Sequence, residues 1–436
     1  MDYLNKYIAC LGKKDPHSQK ELANFLVLDY FAVDASYASR GVESIKEETR
    51  VAYERLTRKY SAYKYLLYVF DMVVGKLFVK GFSSSEKKVL FQNAKYPRLI
   101  LQFQKKYRTE LIAQGKKDRF FAVKNGMGWV ATDDFYQYVY GYLQNQDFTY
   151  LEKLLSGMEE KLNIAKPDYI VLWDDGLPLG RAIVLVAKKL GIKTFVIQHG
   201  VYDAASFFPY HAVVANYFLL WGQYFKDVFL SNKVRGEEDM YVLGYPRHIE
   251  EDEKGVVLRR KRICFLGQDY ERLYPHFLPI KLETLEAISR TCKQLGLEFV
   301  YRPHPGDDRN MLKAKLPDIV FTQKGETLGE TFQTSDIFIS VSSSALVEAA
   351  MRSKISLQLL NYPITLDNFE ALGICTKTFR TSQELGQYLG VLADSKDLKA
   401  FQSSFNNAYI ETRGDLASRF FEIIEGIEKK NRERKN

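Results

Sequence analysis

The chain has 436 residues, a formal net charge of +8, 46% hydrophobic and 27% charged residues. Such a composition excludes an intrinsically disordered chain, and the length exceeds what one hydrophobic core usually serves, so two domains are expected. The 62 basic and 54 acidic residues are interspersed, leaving no basic stripe that would demand nucleic acid as a partner.

The opening MDYLNKYIACLGKKDP carries charges where a secretory signal would need an apolar run. From Glu47 to about Lys80 the apolar residues Tyr53, Leu56, Tyr60, Tyr63, Leu67 and Phe70 recur every three or four positions, which predicts an N-terminal helical region over 1–86. Within it, YLLYVFDMVVGKLFV (Tyr65 to Val79) is interrupted by Asp71 and Lys76 and falls short of the ~20 apolar residues of a bilayer crossing. It reads as a buried or interfacial helix. Cys10, Cys264, Cys292 and Cys375 form neither a CxxC nor a Cys/His metal spacing, so free thiols in a reducing compartment, and no structural zinc, are expected.

Beyond FSSSEKK, KVLFQNAKYP reads as a strand entering a turn, and DRFFAVKNG as a second of the same form. PDYIVLWDDG, LPLGRAIVLVAKKLGIK and TFVIQHG make a β-α-β unit, followed by strands in YFLLWG and MYVLGYP. These belong to a first Rossmann-like domain over 87–250. The charged stretch IEEDEKGVVLRRK supplies a linker over 251–260. The pattern then restarts over 261–400: strand RICFLGQ, helix LETLEAISRTCKQLGL, strands EFVYRPHP, DIVFTQ and DIFISVS, helix SSALVEAAMRSK and strand ISLQLL. Continuously apolar strands alternating with helices predict an α/β fold built on parallel sheets. Residues 401–436 form a C-terminal helix and a basic tail ending KKNRERKN, either solvated or a weak tether to an anionic membrane face. The expected location is cytoplasmic, with peripheral contact at the inner face of the membrane.

In open parallel sheets ligands gather at the carboxyl ends of the strands. The residues there are polar: Asp174, Asp175 and Gly176, then Gln198 and His199, then Gln268, His304 and Ser340 to Ser344. Neither GxGxxG after a strand nor GxxxxGK[ST] occurs, so the usual signals of dinucleotide and P-loop nucleotide binding are missing. ISVSSSALVEAA instead delivers Ser342, Ser343 and Ser344 to a helix start, where free amides, the helix dipole and hydroxyls favour an anion. One of these serines alone would suffice as a helix cap. Glu348, one turn on, is placed to meet a ribose or to face solvent. Asp174 and Asp175 offer a general base, a metal ligand or a cap. His304 stands between Pro303 and Pro305, which stiffen the segment that aims it. His304 and His199 are candidates to donate a proton or hydrogen bond to a leaving phosphate.

WDDG, RPHP and SVSSS, in this order, resemble the motifs of bacterial sialyltransferases and related capsule and lipopolysaccharide glycosyltransferases of GT-B architecture, two facing Rossmann-like domains. The segments TFVIQHGVYD, YFLLWGQYFKD and VLGYPRH are more similar to capsule polysaccharide and CDP-glycerol-type relatives. The resemblance implies a CMP-activated nonulosonate or Kdo as nucleotide-sugar donor, a glycan or glycolipid acceptor, and no cofactor or metal. It implies Asp175 as general base supported by Asp174, with His199 as its rival, and His304 on the donor phosphate. Ser342 to Ser344, Gln268, Arg302, Pro305 and Glu348 would complete the nucleotide side. A UDP-sugar or CDP-glycerol-type transferase, a GT-B-shaped UDP-sugar epimerase, and a non-catalytic subunit of a capsule complex are the other readings.

Overall fold

In a computed structural model of the protein, residues 4–28, 87–132, 134–202, 214–232, 236–247, 261–273, 275–402, 405–406, 409–411 and 414–433 are described below. The expected helix over 47–80, the interfacial segment Tyr65 to Val79 and the linker 251–260 lie outside them. Among the described residues no helix is long and apolar enough to cross a membrane.

The chain forms two compact units, one of Met1–His199, Pro209–Arg247 and Glu411–Asn436, the other of Gly200–Phe208 and His248–Ile410. Each is built on a wholly parallel sheet. In the first, β1 (Lys88–Gln92), β2 (Arg108–Ala113), β3 (Gly128–Ala131), β4 (Tyr169–Leu172), β5 (Lys193–Ile197), β6 (Tyr217–Leu220) and β7 (Met240–Val242) lie in the order β3-β2-β1-β4-β5-β6-β7. This is the doubly wound order with a seventh strand added, and its direction reverses between β1 and β4. In the second, β8 (Arg262–Leu266), β9 (Glu298–Arg302), β10 (Ile337–Ser340), β11 (Ile355–Leu359) and β12 (Lys377–Phe379) lie in the order β12-β11-β10-β8-β9. There the order reverses between β8 and β10.

The central strands are apolar on both faces, as parallel strands joined by helical crossovers must be. All four residues of β4 and all five of β11 are buried, and only helices on both sides of a sheet can cover such strands. The helix Pro178–Lys189 follows β4: proline supplies its first turn, nine consecutive residues from Leu179 to Ala187 are buried, and Lys188 and Lys189 meet its C-terminal dipole. The C-terminal helix Leu416–Glu433 returns to the first unit and packs Phe420, Ile424 and Ile427 against Phe91, Phe103 and Phe195. The first five residues of the basic end, Lys429 to Glu433, are thus the last turn of this packed helix.

Two expected strands take other forms. DRFFAVKNG becomes the helix Lys116–Lys124, whose buried residues Arg119 and Ala122 are three apart while Phe120 is 72% exposed. The paired phenylalanines mimic an apolar run. The helix start is fixed by Asp118, whose carboxylate accepts from the N–H groups of Ala94 and Gln114. DIVFTQ makes only an isolated bridge from Phe321 to Tyr301, because Val320 is turned to solvent at the sheet edge. The reading also passed over β2, β3 and β12.

Candidate functional site

The WDDG turn leaves β4 at the reversal point of the first sheet. Asp174 and Asp175 are both buried and their carboxylates point to different partners. Asp174 Oδ1 accepts from the N–H groups of Gly176 (2.8 Å) and Leu177 (3.0 Å), closing the turn into the following helix. Its Oδ2 lies 3.9 Å from His199 Nε2, at the end of the neighbouring strand β5. Asp175, expected as the general base, directs Oδ2 to the backbone N–H groups of Val214 (2.5 Å) and Ala215 (2.7 Å), just before β6. That carboxylate holds the chain entering β6.

The turn is rigid. Arg181, fully buried, donates from Nε to Gly176 O (2.8 Å) and from one terminal nitrogen to Phe25 O (2.6 Å) in the N-terminal segment. A Cβ on Gly180 would stand 2.8 Å from Asp175 Cα and closer still to Asp174 O, so only glycine lets the helix start this near the turn. Gln92 Oε1 at the end of β1 accepts from Trp173 N (3.2 Å). Gln198, buried, bridges β5 to β6 by accepting from Trp221 N (2.9 Å), while its carbonyl accepts from Trp221 Nε1 (2.6 Å).

Around the carboxylate–histidine pair stand groups the sequence reading did not select. Lys95, after β1, lies 4.0 Å from the centroid of the Trp173 ring, and the Trp173 and His199 rings meet edge to face at 5.8 Å. The His199 side chain is 37% exposed, yet loss of solvation lowers its pKa below the ordinary value, Asp174 opposes this, and Lys95 adds to it. Enclosure and the nearby Arg247 bring Lys95 down to about 8, with Asp174 opposing. The pKa of the Tyr136 hydroxyl is raised by partial loss of solvation and by Asp174, although 44% of the residue is exposed. Lys95 was legible: it stands directly after the first strand, where the rule that ligands collect at strand ends would have found it.

In the second unit the serine turn and the HP turn share one polar network. Gln268, after β8, grips the Ser342 backbone on both sides: its Oε1 accepts from Ser342 N (2.7 Å) and its Nε2 donates to Ser342 O. Ser340, fully buried, donates to Leu266 O (2.8 Å). Ser343 is the N-cap of the helix Ser344–Met351, accepting from Ala345 N (3.2 Å), and Ser344 is that helix's first residue. Lys281, buried, donates to Gln268 O (2.7 Å), to Asp307 Oδ1 (2.8 Å) and to Glu271. Asp307 Oδ2 accepts from Tyr301 OH (2.7 Å) and from His304 N (2.8 Å). The two aspartates behind the HP motif therefore divide their work. Asp307 ties the His304 backbone to the buried lysine, and Asp308 caps the helix Arg309–Lys315.

His304 is 42% exposed at its side chain, and its Nδ1 accepts from Gly306 N (3.1 Å) with Asp269 Oδ1 3.2 Å away. Pro305 is exposed beside His304. Two expected nucleotide contacts are otherwise engaged. Arg302 donates to Thr331 Oγ1 (2.7 Å) and to the carbonyls of Glu326 (3.1 Å) and Thr327 (3.4 Å). Glu348 is buried, with Oε2 3.5 Å from Arg352. Asp269, Lys281 and Asp307 are the residues missed here; Asp269 and Asp307 stand next to strand-end and HP positions, whereas Lys281, inside the helix Leu278–Gln294, carried no sequence signal. Among the described residues no three His, Cys, Asp or Glu side chains gather as metal ligands.

No protein-family model matches the chain, and no curated protein matches it. Solved structures do. A Listeria monocytogenes protein assigned as a UDP-N-acetylglucosamine 2-epimerase shares 12% identity over 79% of this chain and 98% of its own, with a TM-score of 0.57. The UDP-GlcNAc 2-epimerase of Methanocaldococcus jannaschii, solved with UDP-GlcNAc and UDP, shares 15% over 78% and 99%, with a TM-score of 0.51. That of Rickettsia bellii shares 12% over 78% and 96%, with a TM-score of 0.51. The chain has their fold: two Rossmann-like α/β units of GT-B type.

Proposed function

We propose that the protein is a nucleotide-sugar-dependent glycosyltransferase that moves a CMP-activated nonulosonate or Kdo to a hydroxyl of a surface-glycan acceptor, acting in the cytoplasm at the inner face of the membrane. One observation carries it: at the reversal point of each sheet the chain has built a rigid polar turn, Asp174 in one unit and Ser342 with Gln268 in the other, and a histidine stands at the end of the next strand, His199 after β5 and His304 after β9. The motif order WDDG, RPHP, SVSSS supports the donor class.

In this reading His199 is the general base. Its lowered pKa keeps the imidazole neutral near pH 7, ready to take the acceptor proton, and Asp174 stabilises the imidazolium that forms. As the acceptor oxygen bonds to the anomeric carbon, the bond from that carbon to the phosphate oxygen breaks and its electron pair leaves with the nucleotide. The N–H groups at the start of the helix Ser344–Met351, the serine hydroxyls and the His304 ring receive the added charge. Asp175 serves as a brace.

A second reading, a UDP-sugar 2-epimerase, is favoured by the likeness of fold to epimerases solved with UDP-GlcNAc and UDP. A thermal-shift panel of CMP, CDP, UDP, UMP and GDP without added metal separates the two, since a ligand of the folded state raises its stability. Stabilisation by CMP supports the first reading. Stabilisation by UDP alone moves the assignment to the second, and a flat panel overturns both.

A further inference from the structure

Two groups at the reversal point of the first sheet, Lys95 after β1 and Trp173 after β4, have no task in the chemistry above, and neither has Arg247, beyond the edge strand β7, whose charge acts on Lys95. The Lys95 ammonium rests on the Trp173 ring, 4.0 Å from its centroid and 5.8 Å from that of Tyr96. It makes no hydrogen bond or ion pair with any described residue. The Trp173 indole Nε1 is buried and likewise lacks a hydrogen-bond partner among the described residues. Gln92 fixes the Trp173 backbone, and the ring packs edge to face on His199. Two unused donors stand on adjacent strand ends with a second cation near, and the buried indole N–H is costly to leave without an acceptor.

We propose that Lys95 and the Trp173 indole N–H form an oxyanion site that takes a phosphate or carboxylate group of the sugar acceptor. The attribution to the acceptor rests on the transferase reading; the anion site does not. The charged and titratable groups facing Lys95 are Arg247, which favours an anion, Asp174, which opposes it, and His199. Asp174 is occupied by two backbone N–H groups and faces His199, so an acceptor anchored at Lys95 presents its hydroxyl beside the base. A bound anion favours the ammonium, so affinity is highest below about pH 8 and falls as pH rises through it.

The test uses the full chain. A small amine-acylating reagent at pH 8 reacts only with neutral amines, and peptide mass spectrometry reads Lys95 separately from the other lysines. Inorganic phosphate is expected to slow Lys95 labelling at least fivefold in a saturable manner at constant ionic strength, and Trp173→Phe, which keeps a ring without the N–H, is expected to weaken that protection at least threefold. Protection by acetate but not phosphate assigns the anion as a carboxylate. Absence of protection by either overturns the site, and full protection in Trp173→Phe overturns the indole's part. Protection by CMP or UDP as strong as by phosphate overturns the acceptor assignment, because the anion would then be the donor's. The thermal-shift panel keeps the two readings apart: nucleotide binding without phosphate protection sinks the anion site alone, whereas phosphate protection without nucleotide binding leaves the site standing and removes the transferase.

Discussion

Asp174 Oδ2 stands 3.9 Å from His199 Nε2, while Asp175, the next residue, turns its carboxylate to the backbone N–H groups of Val214 and Ala215. Adjacent residues leaving a strand point in opposite directions, so two identical side chains receive different work. His199→Ala is therefore expected to lower kcat by about 10²–10⁴-fold with little change in the melting temperature, the range for loss of a general base. Asp175→Ala is expected to cost about 1–3 kcal/mol of stability by leaving two buried donors unsatisfied. Steady-state kinetics and chemical denaturation check the contrast, and loss of activity in stably folded Asp175→Asn would restore Asp175 as the base.

The pH profile follows from the direction of the His199 shift. The base works when neutral, so kcat/KM should rise with pH through a pKa below 6.5, the ordinary imidazole value. Asp174 raises that pKa, so Asp174→Asn should displace the acid limb further toward low pH. A limb that moves toward high pH in this variant contradicts the assignment.

Lys281 and Asp307 form a buried pair beneath the HP turn. Lys281→Met leaves Asp307 and Glu271 without their cation, and removal of one partner of a buried pair costs about 3–5 kcal/mol. Thermal unfolding should show it, and stability equal to that of the parent chain would mean the pair is dispensable.

Gln268 joins the two turns of the second unit through Ser342 and Lys281. Gln268→Ala should weaken nucleotide binding about tenfold, or ~1.4 kcal/mol, by freeing the serine turn. Calorimetric titration with the stabilising nucleotide measures it, and unchanged affinity would remove Gln268 from the site.

Gly180→Ala should cost about 1–3 kcal/mol, because the new methyl meets the backbone of Asp174 and Asp175. Denaturant unfolding reads the loss, and a neutral effect would mean that the WDDG turn can yield.

The apolar runs of β4, β5, β8, β9, β10 and β11 were legible because parallel strands covered on both faces must be apolar throughout, a local property of the chain. The polar residues at their ends were legible for the same reason, and so His199, Gln268, His304 and the serine turn could be selected. Strand order is not local. It follows from which helix covers which face, and it alone sets β1 beside β4 and β8 beside β10, bringing Lys95 to Trp173 and Gln268 to Ser342. The direction of each side chain at a strand end is likewise decided by tertiary partners: Val214 and Ala215 claim Asp175, Thr331 with the loop carbonyls claims Arg302, and Arg352 claims Glu348. A sequence states which groups are available at a strand end; packing, by satisfying some of them internally, decides which remain for a ligand.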